Sequence, residues 1–309
     1  MAITRKTKLN TGASSNPNNK GDLDLISDLP SHVIKQVRLH IPKFDKRANG
    51  IRDVEQWIVH LSKKNIRELT LTCEGRFLLP HCIFSCLHLT QLELDNITFE
   101  PLPDFKGFPN LIMLQLIEAK FKANMFESLI HGSPLLQKLI LEDCRGINHF
   151  KVSAPNLESF HLQANRELKT ICFENVPKLA DVTIDTVDIL VNHSMESSPL
   201  LEFLMSLPKL TLLSVNGHFL KFLAGNTLPQ ELPTKVEGLK YLKLDSLDFT
   251  DFDEISCALC LIRNTPNLKA LEIEVDIGYG NRIDTVLQSI PWSGYHFRMI
   301  GQNLWVDIF

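Results

Sequence analysis

A short phrase of apolar, two residues, apolar, one residue, apolar returns nine times along the chain. It starts at Ile66, Leu69 and Leu71 and recurs at Leu89/Leu92/Leu94, Leu111/Leu114/Leu116, Leu136/Leu139/Leu141, Leu157/Phe160/Leu162 and Leu179/Val182/Ile184. Three wider copies come later at Leu210/Leu213/Val215, Leu239/Leu242/Leu244 and Leu268/Leu271/Ile273. The first six copies are about 21–25 residues apart and the rest about 29–31, the range of leucine-rich repeats. Alternation around each closing pair predicts a strand whose apolar members point inward and whose intervening residues point outward. Turns are marked ahead of several strands by Pro109–Asn110, Pro155–Asn156, Pro177–Lys178, Pro208–Lys209 and Pro266–Asn267. Helical returns are predicted at Met125–His131 and Phe252–Asn264, the second with an apolar face of Phe252, Ile255, Leu259 and Ile262. One strand and one return cannot bury a core alone, whereas stacked copies bury a continuous one. The predicted fold class is α/β: an irregular leucine-rich-repeat solenoid, with parallel strands on its concave face.

The array is irregular just beyond each strand. The commonest leucine-rich pattern carries Asn or Cys three residues after the last strand leucine. Here those positions hold Glu74, Ile97, Ala119, Cys144, Asn165, Val187, His218, Leu247 and Asp276, so no asparagine ladder is expected and only Cys144 and Asn165 match.

Ahead of the array the chain changes character. Residues 1–21 are polar, and disorder is expected because nothing there can be buried to offset the ordering entropy. Ser27 or Asp28 suits a helix N-cap, with Pro30 in the first turn and Leu29, Val33, Ile34 and Val37 on one face. Val37, Leu39 and Ile41 also alternate with Arg38 and His40, which suits a strand instead. A second helix is predicted from Ile51, Val54, Trp57, Ile58 and Leu61. The expected organisation is a tail over 1–21, an N-terminal segment over 22–41, repeats over 42–279, and a cap or shortened tail over 280–309.

Composition narrows the function classes. A net charge of -4 gives no electrostatic case for nucleic acid or an anionic membrane surface, and no apolar run is long enough to span a bilayer. The N-terminus lacks the apolar stretch of a secretory signal, so an intracellular location, cytoplasm or nucleus, is expected. Seven scattered cysteines fit a reducing compartment and buried thiols. His81, Cys82, Cys86 and His88 superficially resemble metal ligands, and Cys257 and Cys260 have a redox spacing. Both groups sit among apolar residues, and core thiols are the favoured reading. No nucleophile elbow, zinc-protease helix or phosphate loop occurs, so no catalytic, metal or cofactor site is expected.

The outward strand positions are the candidate binding surface for a protein target: Thr70, Glu93, Asp95, Gln115, Glu142, His161, Thr183, Asp185, Ser214, Lys243, Asp245 and Glu272. Thr72, Ile117, Ile140, Gln163, Asn216 and Glu274 fall on the same pattern. Acidic residues outnumber basic ones, which favours a basic target segment by steering more than by affinity. A solvated strand face is also polar for no functional reason, and that reading stays open for each single residue.

With Asp24-Leu25-Ile26-Ser27-Asp28-Leu29-Pro30-Ser31-His32-Val33-Ile34 standing before an irregular leucine-rich array, the chain resembles the plant F-box/leucine-rich-repeat proteins, in particular the FBD-containing branch. Residues 25–37 look like the first F-box helix. Residues from about 232 to 279, with Glu237-Gly238-Leu239-Lys240-Tyr241-Leu242 and Ser256-Cys257-Ala258-Leu259-Cys260-Leu261, look like the start of an FBD segment. The resemblance implies a substrate-receptor subunit of a cullin-RING ubiquitin ligase. A short F-box-like helix would dock a Skp-type adaptor, and through it a cullin, by Leu29, Pro30, Val33, Ile34 and Val37, while the repeats hold the target. The match ends at Val37, without the later F-box helices, so a truncated F-box is expected. The same apolar face also suits packing on the first repeat, which would leave an interaction module without adaptor binding.

Overall fold

The computed structural model describes residues 8–9, 35–41, 50–100, 105–122, 125–163, 169–187, 198–225, 228, 232–275, 295–300 and 303–308. The chain divides into two compact units, Met1–Ile147 and Asn148–Phe309.

The first unit is built on parallel strands β1 (Lys8–Leu9), β2 (Gln36–Ile41), β3 (Glu68–Leu78), β4 (Gln91–Phe99), β5 (Met113–Ile117) and β7 (Lys138–Glu142), which pair in that order. A short β6 (Lys120–Phe121) lies beside β4. Helices α1 (Gly50–Ser62) and α2 (Met125–His131) form returns between strands. In the second unit β9 (Ser159–Gln163), β11 (Asp181–Asp185), β12 (Leu212–Asn216), β13 (Tyr241–Leu247) and β14 (Ala270–Val275) pair in parallel. There β8 (His149–Ser153) and β10 (Thr170–Glu174) form a separate parallel pair. Returns are made by α3 (Pro199–Met205), α4 (Gly217–Ala224) and α5 (Phe252–Arg263). β16 (Asn303–Ile308) joins β14 in antiparallel sense and β15 (Tyr295–Ile300) joins β16, so the C-terminal segment covers the edge of the parallel sheet.

All nine phrases are strands of these sheets. Their inward pairs, Leu69/Leu71 through Leu271/Ile273, are at most 2 % exposed. Each fully buried leucine contributes about 1.5–3 kcal/mol of transfer free energy. Behind the strands of the second unit runs a chain of phenylalanines, from Phe150 through Phe160, Phe173, Phe203 and Phe219 to Phe222. Ring centroids lie 5.2–6.2 Å apart, mostly edge to face, as the ring quadrupole favours.

Where an asparagine ladder is lacking, the backbone turns on a left-handed residue. Asn96, Glu118, Asp143, Asn175 and Ser246 all have φ between 48° and 57°, and each lies two positions after the second inward residue of its strand. Ile97, Ala119 and Cys144 behind them are buried, and only the Cys144 thiol donates, to the Leu116 carbonyl at 3.5 Å. Turn asparagines tie one repeat to the previous one instead: Asn110 donates to the Leu87 carbonyl at 2.9 Å and Asn267 to that of Glu237 at 3.0 Å.

Three expectations are corrected. Residues 36–41 are a strand, with Val37, Leu39 and Ile41 each 3 % exposed and Val37 paired with Leu69, so the alternation governs this stretch and Val37 does not extend a helix. The rest of the F-box-like helix lies outside the described residues. Lys8–Leu9 pairs with β2, within the segment whose composition predicted disorder. In α5 the buried residues are Glu254, Cys257, Ala258, Cys260, Leu261 and Ile262, so of the expected face Ile262 is buried, Ile255 and Leu259 are half-buried and Phe252 is 81 % exposed. The helix rotates because Asp251 caps it and the Glu254 carboxylate turns inward to accept from the Asp248 backbone N–H at 3.0 Å. That carboxylate lies against Gly217, the first residue of α4, where a Cβ would strike it.

An L-residue at φ near 50° costs about 1–2 kcal/mol that glycine avoids. Ser246→Gly should therefore leave thermal stability equal or higher, whereas Ser246→Val should lower it by about 1–2 kcal/mol, read by calorimetric unfolding.

Candidate functional site

The outward strand positions form rows, because equal registers place side chains of successive strands beside one another. In the first unit one row runs Arg38, Thr70, Glu93, Gln115, Ile140 and the next runs His40, Thr72, Asp95, Ile117, Glu142. In the second unit the rows are His161, Thr183, Ser214, Lys243, Glu272 and Gln163, Asp185, Asn216, Asp245. The twelve target-face residues chosen from the sequence are thus outward on strands and half-buried. They fall into two groups, five in the first unit and seven in the second. Of the adaptor-face residues, Leu29, Pro30, Val33 and Ile34 lie outside the described residues, and Val37 is in the core.

The two faces handle charge differently. In the second unit Lys243 sits among carboxylates, its Nζ 3.4 Å from Glu272, 3.6 Å from Asp245 and 3.8 Å from Glu274. Burial opposes its charge, but the three acids outweigh it and hold the amine above its usual range. Repulsion by Asp245 is the main cause that raises Glu274. Asp185 is raised by burial and then by Asp245, and it accepts from Asn216 Nδ2 at 2.8 Å. Asn216 also caps α4, accepting from the Phe219 N–H at 3.1 Å.

In the first unit Thr70 donates to Glu93 at 2.9 Å, and His40 meets Glu74 at 3.1 Å. Asp95 in the middle of β4, Glu118 just beyond the end of β5 and Glu142 at the end of β7 lie close enough for their charges to interact. Burial raises the Asp95 carboxyl above its ordinary range, and the charges of Glu118 and Glu142 raise it further. Among the described residues no cation lies within 4.0 Å of any of these three.

Sequence reasoning passed over Arg38 and His40, although the alternation in β2 was the signal that placed them outward. It also passed over Glu118, since its place beside Asp95 follows from the left-handed turn rather than from strand periodicity. The cysteines gather into no reactive site. Burial pushes Cys86 up to about 12 and raises Cys257 and Cys260, and Cys82 donates to the Glu55 carbonyl at 3.6 Å.

Because the Asp95 pKa in the fold lies above the ordinary 3.8, its ionised form weakens the fold at neutral pH, and the penalty fades as pH falls through the folded value. Asp95→Asn should raise the melting temperature at neutral pH. The difference should shrink towards zero as pH approaches 3.8, as followed by thermal unfolding across pH.

Comparison with known proteins agrees with this architecture. The family model described as "FBD-associated F-box protein At5g56370, LRR repeats" matches residues 54–273. The chain is similar to F-box/FBD/LRR-repeat protein At1g13570 of Arabidopsis thaliana, 36% identical over 225 residues, 72% of this chain and 53% of that protein. It is similar to the putative FBD-associated F-box protein At5g56560, 26% identical over 42% of this chain and 31% of the relative. F-box/FBD/LRR-repeat protein At5g56420 is 30% identical over 38% and 29%. The chain thus spans about half the length of the first of these Arabidopsis relatives and less than a third of the other two. The family match runs from within α1 to within β14, and the chain belongs to the leucine-rich-repeat family of FBD-associated F-box proteins.

Proposed function

We propose that this chain is the target-binding part of a substrate receptor of a cullin-RING ubiquitin ligase, working in the cytoplasm, the nucleus or both. The observation that carries the reading is the pair of outward strand faces, two rows of mostly half-buried, mostly polar side chains each, in a chain whose family is that of F-box proteins. Such a face offers many shallow polar contacts over a broad area, which suits another protein's surface rather than a small molecule. The receptor contributes no reacting group. It holds a target near a ubiquitin-loaded partner, so a bimolecular encounter becomes a local one. Leu29, Pro30, Val33 and Ile34 are the proposed adaptor contacts.

A second reading is favoured by Val37. As the core partner of Leu69 it is not free to meet an adaptor, which shortens the docking face. On this reading the chain binds targets without ligase assembly and competes with longer relatives for them.

Purified Skp-type adaptor separates the two. The ligase reading expects stoichiometric co-elution with the full chain, lost on Leu29→Asp while the melting temperature is unchanged. Absence of co-elution at micromolar concentrations rejects it in favour of the interaction module.

A further inference from the structure

Two residues break the polar rule within the two outward rows of the first unit. Ile117 on β5 and Ile140 on β7 stand at positions occupied in the other rungs of that unit by Arg38, Thr70, Glu93 and Gln115, or by His40, Thr72, Asp95 and Glu142. Gln115 pairs with Ile140 and Ile117 with Glu142, so the isoleucines are diagonal neighbours on adjacent strands. They do not belong to the core. Their inward neighbours Leu114, Leu116, Leu139 and Leu141 are 0 % exposed, whereas both isoleucines are half-buried and open to solvent.

Carboxylates border this pair. Asp95 is level with Ile117 on one side and Glu142 on the other, and Glu118 comes directly after Ile117 on the left-handed turn. The Glu118 backbone N–H is bonded to the Glu142 carbonyl at 2.8 Å, which fixes the two chains side by side. Lys138, the cation of β7, stands at the opposite end of that strand, beyond Ile140. The second unit is arranged otherwise. There Lys243 already occupies the space among its acids, while the acids beside Ile117 have no such cation among the described residues.

We propose that the Ile117–Ile140 patch and the carboxylates of Asp95, Glu118 and Glu142 form a docking site for an extended segment of a partner protein in which an apolar side chain is flanked by lysine or arginine. The inference rests on the reading of the outward face as the target surface and names the class of segment that it takes. The apolar side chain covers the isoleucines and supplies affinity by excluding water. The cation enters among the three acids, relieves their mutual repulsion and selects against acidic segments. Lys138 disfavours a second cation at the start of β7, which gives the segment a direction.

Fluorescence anisotropy with the full chain and three short labelled synthetic peptides tests this: alternating lysine and leucine, alternating lysine and serine, and alternating glutamate and leucine. The lysine–leucine peptide should bind at least about ten-fold more tightly than either control. Ile117→Ser with Ile140→Ser should remove that preference. Asp95→Asn with Glu142→Gln should weaken binding and flatten its dependence on salt, with unfolding curves confirming that each variant is folded. Equal binding of the lysine–leucine and lysine–serine peptides, or no effect of the isoleucine changes, overturns the apolar anchor and leaves the acidic target face standing. Equal binding of the glutamate–leucine peptide overturns the role of the carboxylates. Absence of binding to all three peptides overturns this site, while the broader target-face reading, which fixes neither this site nor this segment chemistry, is left standing.

Discussion

Everything in the described structure depends on one coupling. The backbone groups of each strand are satisfied only by the strands on either side, and its inward leucines are dry only because neighbouring returns cover them. Leu69, Leu92, Leu114 and Leu139 are therefore elements of a shared layer, not four separate contacts. A rung alone would leave both its ladder and its apolar side in water, so stability is a property of neighbours. In the first unit the pairing of β2 with β3 extends the layer towards the N-terminus; in the second, β14 is followed by the antiparallel β16, which pairs in turn with β15.

Loss of the asparagine ladder has a visible remedy. Where the commoner repeat spends a buried side-chain amide on the turn, this chain accepts a left-handed residue after the strand, and it does so repeatedly with Asn96, Glu118, Asp143, Asn175 and Ser246. The turn is then held by backbone pairs such as Arg145 N–H to the Ala119 carbonyl at 2.8 Å. The change has a further effect at Glu118, since the turn presents its carboxylate to Asp95. A backbone device thus becomes part of the electrostatics of the exposed face.

The two units share a strand pattern and differ in charge compensation. In the second unit Lys243 draws three acids together, and Asn216 joins Asp185 to the cap of α4, so that face is largely self-satisfied. In the first unit acids stand beside one another and beside two isoleucines. An apolar spot bordered by uncompensated charge is stable enough within the fold and gains most when a complementary chain covers it. Recognition is then concentrated on a few residues rather than spread evenly over a polar surface.

The sequence alone determined the repeat, the nine strands with their inward and outward sides, the helices at 51–61, 125–131 and 252–264, and the resemblance that the family match supports. Those features are legible because burial imposes a local period on the chain, and a residue's side of a strand follows from its neighbours two positions away. Only the tertiary structure decided that residues 36–41 join the sheet, that α5 turns Glu254 inward, and that Lys243 is paired while Asp95 meets no cation among the described residues. The strand pairing of 36–41 and two of the acids around Lys243 come from about a full repeat away along the chain, where no local pattern records them. Glu254 turns inward to a nearer partner, the Asp248 backbone N–H, which side-chain periodicity does not record either.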